Sequence, residues 1–232
     1  MKTTLVQLVL VSSLVLLLTS CSKKEIDPGS GLSEDIQRIV PQKIIDDLRK
    51  RGMTINEGQK PPKLDGIIYA DPYRLVSPYG PNDAWREGKV INSYYYKFYG
   101  QTTDNKITYD YTNGSDKGKG NGAFVAGTGN VFTIFSQDVG VSKGINYKTV
   151  TIISGEVTDK GVQSFQYAFV MTDKTGEDPN TEDKLIAVGN GRIWDDGDQL
   201  AEWTSTFPQS VLTKTTGDAR KQAVLSAKEV GE

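Results

Sequence analysis

Tyrosine is concentrated in one short part of this chain. Six of its 11 tyrosines lie between residues 94 and 111. Successive side chains of an extended segment point to opposite faces, so every second residue shares a face. Rings that carry a hydroxyl group suit a cavity that holds a sugar, a sterol-like or an aromatic molecule. We therefore predict a ligand-binding site made of Tyr94, Tyr96, Tyr109 and Tyr111. The alternative is that the same rings pack across neighbouring strands without a ligand.

The residue types that most enzymes use for acid–base chemistry are scarce. The chain has no histidine and one cysteine, which excludes Ser-His-Asp and Cys-His catalysis and histidine-ligated metal sites. Acidic residues cluster at 177–183 and 195–198, but their spacing indicates neither a glycosidase pair nor an EF-hand. The glycines between residues 118 and 129 precede no predicted helix, which a phosphate-binding loop needs. We predict a protein that is not an enzyme and has no cofactor or metal. A formal net charge of −2 argues against nucleic-acid binding.

The first 20 residues have the pattern of an export signal. Lys2 provides the positive end, residues 5–18 are apolar, and small residues follow at 19 and 20. The apolar run is shorter than the ~20 residues that a membrane-spanning helix requires. We therefore predict a cleaved signal peptide over residues 1–20.

The end of that segment carries a lipidation motif. Leu18-Thr19-Ser20-Cys21 resembles the lipobox of bacterial lipoproteins. The resemblance implies that Cys21 carries acyl chains such as palmitate and anchors the mature chain in a lipid bilayer. In Gram-negative lipoproteins the next residue helps to sort the protein, and Ser22 implies the outer membrane. Whether the protein faces the periplasm or the outside stays open.

Most of the mature chain has the two-residue period of β-strands. Residues 147–158 and 162–173 are the clearest pair, joined by Asp159-Lys160-Gly161. In the second strand Phe165, Tyr167, Phe169 and Met171 share one face, which we expect to point into the core. A second hairpin is predicted over residues 91–101 and 106–112. Shorter strands are predicted at 64–70, 123–126, 130–137, 185–194 and 199–207. Residues 71–89 and 113–122, rich in proline or glycine, are predicted loops.

About eight strands joined by hairpins favour a mainly β fold, an antiparallel up-and-down β-barrel, because closure removes exposed sheet edges. A β-sandwich is the alternative. One N-terminal helix is predicted to begin at Pro41 and to end before Gly52. The predicted order is a signal peptide (1–20), a flexible tether (21–32), a helix with an extended spacer (33–62), the barrel (63–207) and a polar tail (208–232). Residues 218–230 of the tail have a helix-forming composition.

Several short motifs point to one protein family. They are Ile39-Val40-Pro41, Gly52-Met53-Thr54-Ile55-Asn56, Pro61-Pro62-Lys63-Leu64-Asp65-Gly66, Gly127-Thr128-Gly129-Asn130-Val131-Phe132-Thr133, Tyr167-Ala168-Phe169-Val170-Met171 and Asp196-Gly197-Asp198 with Leu200-Ala201-Glu202. Over residues 34–207 the chain resembles a group of uncharacterised Gram-negative gut-bacterial lipoproteins that look lipocalin-like. Gly66-Ile67-Ile68-Tyr69 is similar to the Gly-x-Trp start of the first lipocalin strand, with tyrosine one place later instead of tryptophan.

The resemblance implies a lipocalin-like fold and an outer-membrane address, but no activity. We therefore predict a monomeric, lipid-anchored protein that binds a small apolar or glycan-derived ligand. The first alternative is a module that binds another protein of the cell envelope. The second is a hydrolase based on carboxylates.

Overall fold

The computed structural model describes residues 31–181 and 184–208. The predicted signal peptide, Cys21, most of the tether and the tail after residue 208 lie outside the described residues. The two helices are α1 (Glu34–Ile39) and α2 (Gln42–Lys50). The strands are β1 (Gln59–Lys60), β2 (Gly66–Ala70), β3 (Tyr73–Ser77), β4 (Val90–Ile91), β5 (Tyr94–Tyr99), β6 (Lys106–Thr112), β7 (Asp116–Thr128), β8 (Val131–Ser142), β9 (Ile145–Val157), β10 (Gly161–Thr175), β11 (Gly191–Asp196) and β12 (Leu200–Thr204).

The strands form one sheet that closes on itself. Its order is β12-β2-β5-β6-β7-β8-β9-β10-β11-β3-β4, and β12 also pairs with β10. That last pairing closes a ring of eight strands: β2, β5 to β10 and β12. The ring strands are antiparallel, whereas the short β1 pairs with β7 in parallel. The predicted mainly β fold with a closed, barrel-like antiparallel sheet is therefore confirmed.

Strand β10 holds the ring to a small extension of the sheet. Its first residues pair with β12, from Gly161 opposite Glu202, and its middle pairs with β11, from Gln166 opposite Asp195. The change of partner falls at a bulge next to Ser164, whose φ is 51°. A bulge bends a strand and increases its twist. Strands β11, β3 and β4 consequently extend the sheet beside one end of the ring.

Two helices, rather than the one predicted, precede the sheet. The Ser33 hydroxyl accepts a hydrogen bond from the Ile36 N–H and begins α1. Val40 is extended, as a residue before proline tends to be, so α1 ends there. Pro41 then occupies the N-cap of α2, just outside the helix. Within the described residues, no helix has the length and apolarity needed to cross a bilayer.

Buried apolar side chains lie on both faces of the ring strands. Inside the ring, Phe165 and Tyr167 of β10 pack with aromatic residues of β5 and β6. Outside it, Ala168 of the same strand packs with Ile45 and Leu48 of α2. Alternation along β10 thus separates an inner core from an outer core beneath the helices. The predicted inner face is correct, with Phe165 and Met171 buried and Phe169 half-buried.

Two predicted loops contain strands. Strand β3 lies within 71–89 and pairs with β11, far away in sequence. Strand β7 runs through most of 113–122, because Gly118 and Gly120 lie opposite Tyr111 and Tyr109. A Cβ at Gly118 would clash with the Tyr111 ring, and one at Gly120 with the Tyr109 ring. The glycines leave room for rings that cross the strand. The strand predicted at 185–194 begins later, at Gly191.

Candidate binding cavity

A cavity of about 540 Å³ lies at the end of the ring where β7 begins and β8 ends. Its walls come from the inner face of the ring, from β11 with β3, and from the segments that follow β3 and β10. Its lining includes Tyr73, Tyr79, Asp83, Trp85, Ile91, Tyr94, Asp116, Lys143, Tyr147, Thr149, Tyr167, Phe169, Met171, Lys184, Arg192 and Trp194. A cleft of this size, with many aromatic side chains and a few polar groups in its walls, is typical of small-molecule sites.

The aromatic walls form one connected group centred on Tyr73. The Tyr73 ring centroid lies 4.8 Å from that of Tyr94 and 5.5 Å from that of Trp194, with which it stacks. The ring centroid of Tyr167, the fourth member of the group, lies 6.4 Å from that of Tyr73. These separations fall in the range of favourable ring pairs. The walls are therefore held in place without a ligand.

The four predicted ligand-binding tyrosines all lie on the inner face, at different depths. Tyr94 lines the cavity. Tyr96 and Tyr109 are fully buried below it, and their hydroxyl groups bind other protein groups. The Tyr111 hydroxyl lies 2.9 Å from that of Tyr147. The structure thus brings the four rings together, and Tyr94 is the one that borders the cavity.

A carboxylate lies among the rings. Asp116, the first residue of β7, accepts a hydrogen bond from the Tyr94 hydroxyl and another from the Tyr147 hydroxyl, each at 2.7 Å. Desolvation raises the pKa of Asp116, and the two hydroxyl donors only partly offset this effect. Among the described residues, no lysine or arginine forms an ion pair with it.

A second carboxylate lies deeper, beside Tyr109. Asp138 is 1% exposed and accepts hydrogen bonds from the hydroxyl groups of Tyr109 and Ser136. Burial raises the pKa of Asp138 to about 6. The inner core below the cavity therefore carries negative charge near neutral pH.

The mouth of the cavity carries a paired arginine. The guanidinium of Arg192 donates two hydrogen bonds to Asp83, at 2.6 and 2.9 Å. It also lies 4.2 Å from the Trp85 ring centroid and 5.7 Å from that of Tyr79. Burial acts to raise the pKa of Asp83, but Arg192 and the backbone N–H groups of residues 79 and 85 lower it to about 2. This bidentate, stacked arrangement fixes the segment after β3 over the cavity.

The sequence did not single out several of the lining residues. Tyr73 lay in a predicted loop, Trp194 near the end of a predicted strand, and Asp116 in a glycine-rich segment. They meet at the cavity through pairing of β3 with β11 and of β6 with β7. Tyr167, in contrast, was placed correctly on the inner face.

A second concavity lies on the outer face of the ring. It is about 720 Å³ and is lined by Lys97, Asp110, Lys117, Lys119, Val139, Val141, Lys148 and Phe207, among others, and Tyr111 and Tyr147 also border it. Lys97, Asp110, Lys119, Val139 and Lys148 are consecutive partners across five strands. Val139 is half exposed between the lysines of its neighbours. We call this surface the outer groove.

The two acidic clusters have local structural roles. Glu177 accepts hydrogen bonds from Lys174 and from the Leu185 N–H. Asp195 binds Arg74, and Asp196 accepts from the backbone N–H of Asp71. Over residues 31–181 and 184–208, no three acidic or cysteine side chains are grouped as metal ligands.

Comparison of the chain with protein-family models, with curated protein sequences and with solved structures finds no match.

Proposed function

We propose that this protein is a non-catalytic, monomeric outer-membrane lipoprotein of lipocalin-like type, anchored through Cys21. It binds a small apolar or glycan-derived ligand in the inner cavity. The cavity itself is the observation that carries the proposal. It opens at one end of the ring, and ring faces and hydroxyl groups line it. Such a lining binds by stacking, apolar contact and hydrogen bonds.

The ligand contacts in this proposal start from Tyr94 and extend to Tyr73, Tyr147, Tyr167 and Trp194. Tyr96, Tyr109 and Tyr111 support this layer from below, since their hydroxyl groups bind Tyr73, Asp138 and Tyr147. Tyr94 is thus the direct contact, and the other three keep the wall rigid. A rigid wall reduces the entropy that is lost on binding.

Native mass spectrometry of the lipoprotein extracted from its own cells tests the proposal. We expect a small molecule to be released from the protein when it is activated in the gas phase. Ala84 lines the cavity and is exposed, so Ala84→Trp should fill the mouth and abolish the bound mass. Ala187→Trp, on an exposed position outside the cavity, is the matched control and should keep it. Equal occupancy in both variants, or none in the unmodified protein, would refute a ligand in this cavity.

The outer groove favours the alternative, a module that binds an envelope protein. Lysines 97, 117, 119 and 148 surround the apolar surface of Val139 and Val141, so the matching partner is an acidic protein segment with apolar side chains. Replacing Lys117 and Lys119 by glutamine should leave the bound small molecule unchanged. If the protein acts through the outer groove instead, the double variant loses binding of the acidic protein segment, whereas Ala84→Trp retains it.

A further inference from the structure

We infer that the ligand of the inner cavity carries an ammonium group, and that Asp116 is its counter-ion. This inference rests on the proposed ligand site and specifies its chemistry. It starts from the charges around the cavity. Asp116 has two hydroxyl donors but no cationic partner among the described residues. Asp116 is partly buried, and a carboxylate in such a place is commonly paired with a cation, because an isolated charge is costly to desolvate.

The cations that line the cavity are accounted for in other ways. Arg192 makes its bidentate pair with Asp83 at the mouth. Lys184 donates to the Asp178 carbonyl oxygen, and Lys143, in the turn after β8, also has an interaction partner. Asp138, deeper in the core, adds negative potential from below. We therefore expect a positively charged group of a ligand to be attracted to Asp116, the acidic lining residue that has no cationic partner among the described residues.

The walls favour an organic cation over an inorganic one. Tyr94 and Tyr147 hold Asp116 between them, and Tyr73, Tyr167 and Trp194 continue the ring surface around it. Ring faces carry partial negative charge and attract ammonium groups, most strongly where water is excluded. An inorganic cation would require several oxygen ligands, and the described residues offer no such cluster. The protein already uses the same contact at the mouth, where Arg192 lies over Trp85.

The test compares choline with 3,3-dimethyl-1-butanol, its uncharged carbon analogue, on the full lipoprotein in non-ionic detergent. Isothermal titration calorimetry measures both, with empty micelles as the blank. We expect choline to bind about tenfold or more tightly than the neutral analogue, because only choline carries the charge that the rings and Asp116 attract. Asp116→Asn should remove the preference, because it keeps an acceptor oxygen for the tyrosines but removes the charge. Asp110→Asn, which replaces a carboxylate that accepts from the Tyr99 hydroxyl on the outer face, should leave the preference unchanged.

Equal binding of the two compounds overturns the inference, whether or not Asp116→Asn folds. A choline preference that survives in a folded Asp116→Asn protein overturns it as well. Neither result contradicts the proposed ligand site itself, because native mass spectrometry of the bound molecule and the Ala84→Trp variant test that site independently. Conversely, loss of the choline preference in Asp116→Asn together with its retention in Asp110→Asn supports the assignment.

Discussion

The buried carboxylate of Asp138 should make the stability of this protein depend on pH. Its pKa in the folded state is about 6, whereas the value for the free side chain is 3.8. Between these values the folded protein binds more protons than the unfolded chain, so the free energy of unfolding falls as pH rises. The stabilising contribution is complete below about pH 4 and is lost as pH passes 6. One pKa unit corresponds to about 1.4 kcal/mol, so the contribution of Asp138 amounts to about 3 kcal/mol.

Asp138→Asn isolates this effect. Asparagine has nearly the same shape, and its groups can still bind the hydroxyl groups of Tyr109 and Ser136. Near pH 4, where Asp138 is protonated, we expect the variant to be about 1 kcal/mol less stable, the value of one exchanged hydrogen bond. Near pH 8, where the ionised carboxylate destabilises the unmodified protein, the variant should be about 2 kcal/mol more stable.

Urea unfolding at a series of pH values from 4 to 8 measures this change of sign. Asp116 and Asp196 also have raised pKa values, Asp196 to about 7, so the unmodified protein loses stability through them too. The contributions of Asp116 and Asp196 cancel when the free energy of unfolding of the variant is subtracted from that of the unmodified protein at each pH. A stability difference for Asp138→Asn that stays within about 0.5 kcal/mol over the range would show that this carboxylate keeps an ordinary pKa.

Three further outcomes are expected. Cys21→Ala should release the protein from membranes or leave its precursor uncleaved, and a membrane-bound, processed variant would contradict the predicted lipid anchor. Phe165→Ala should lower the free energy of unfolding by about 3–5 kcal/mol, since Phe165 is fully buried. Phe169→Ala should lower it by less, since Phe169 is half-buried. A larger loss for Phe169→Ala in chemical denaturation would contradict this difference in burial. Gly118→Ala should destabilise the protein by more than 1 kcal/mol because its Cβ would meet the Tyr111 ring, and thermal unfolding at an unchanged temperature would contradict that packing.

The parts of the fold that depend on local pattern could be predicted from the sequence. Strands β9 and β10 alternate so regularly that their hairpin and their inner face followed from side-chain period alone. The β5–β6 hairpin followed in the same way. The helix that follows Pro41 could be predicted, because proline cannot lie inside a helix, but the separate short helix α1 before it was not predicted.

The parts that depend on distant residues could not be predicted. Gly118 and Gly120 look like loop residues until Tyr111 and Tyr109 are known to lie across them. Strand β3 forms because β11, over 100 residues later, pairs with it, as in Leu75 opposite Trp194. The cavity has the same origin. The tyrosine cluster indicated the correct face, but Asp116, Tyr73 and Trp194 reach it only through pairing that no local pattern specifies.

The position of β12 in the ring has a consequence for how the protein is made. It joins β10 to β2, with Glu202 opposite Tyr69, so one of its partners was synthesised 202 − 69 = 133 residues earlier. A ribosome must therefore have synthesised the chain through β12, at residues 200–204, before the ring can close. Contacts between such distant residues also slow folding, since a long chain must be brought together before the pairing stabilises it. A precursor with the predicted export signal therefore still lacks its closed ring while the residues before β12 are being synthesised.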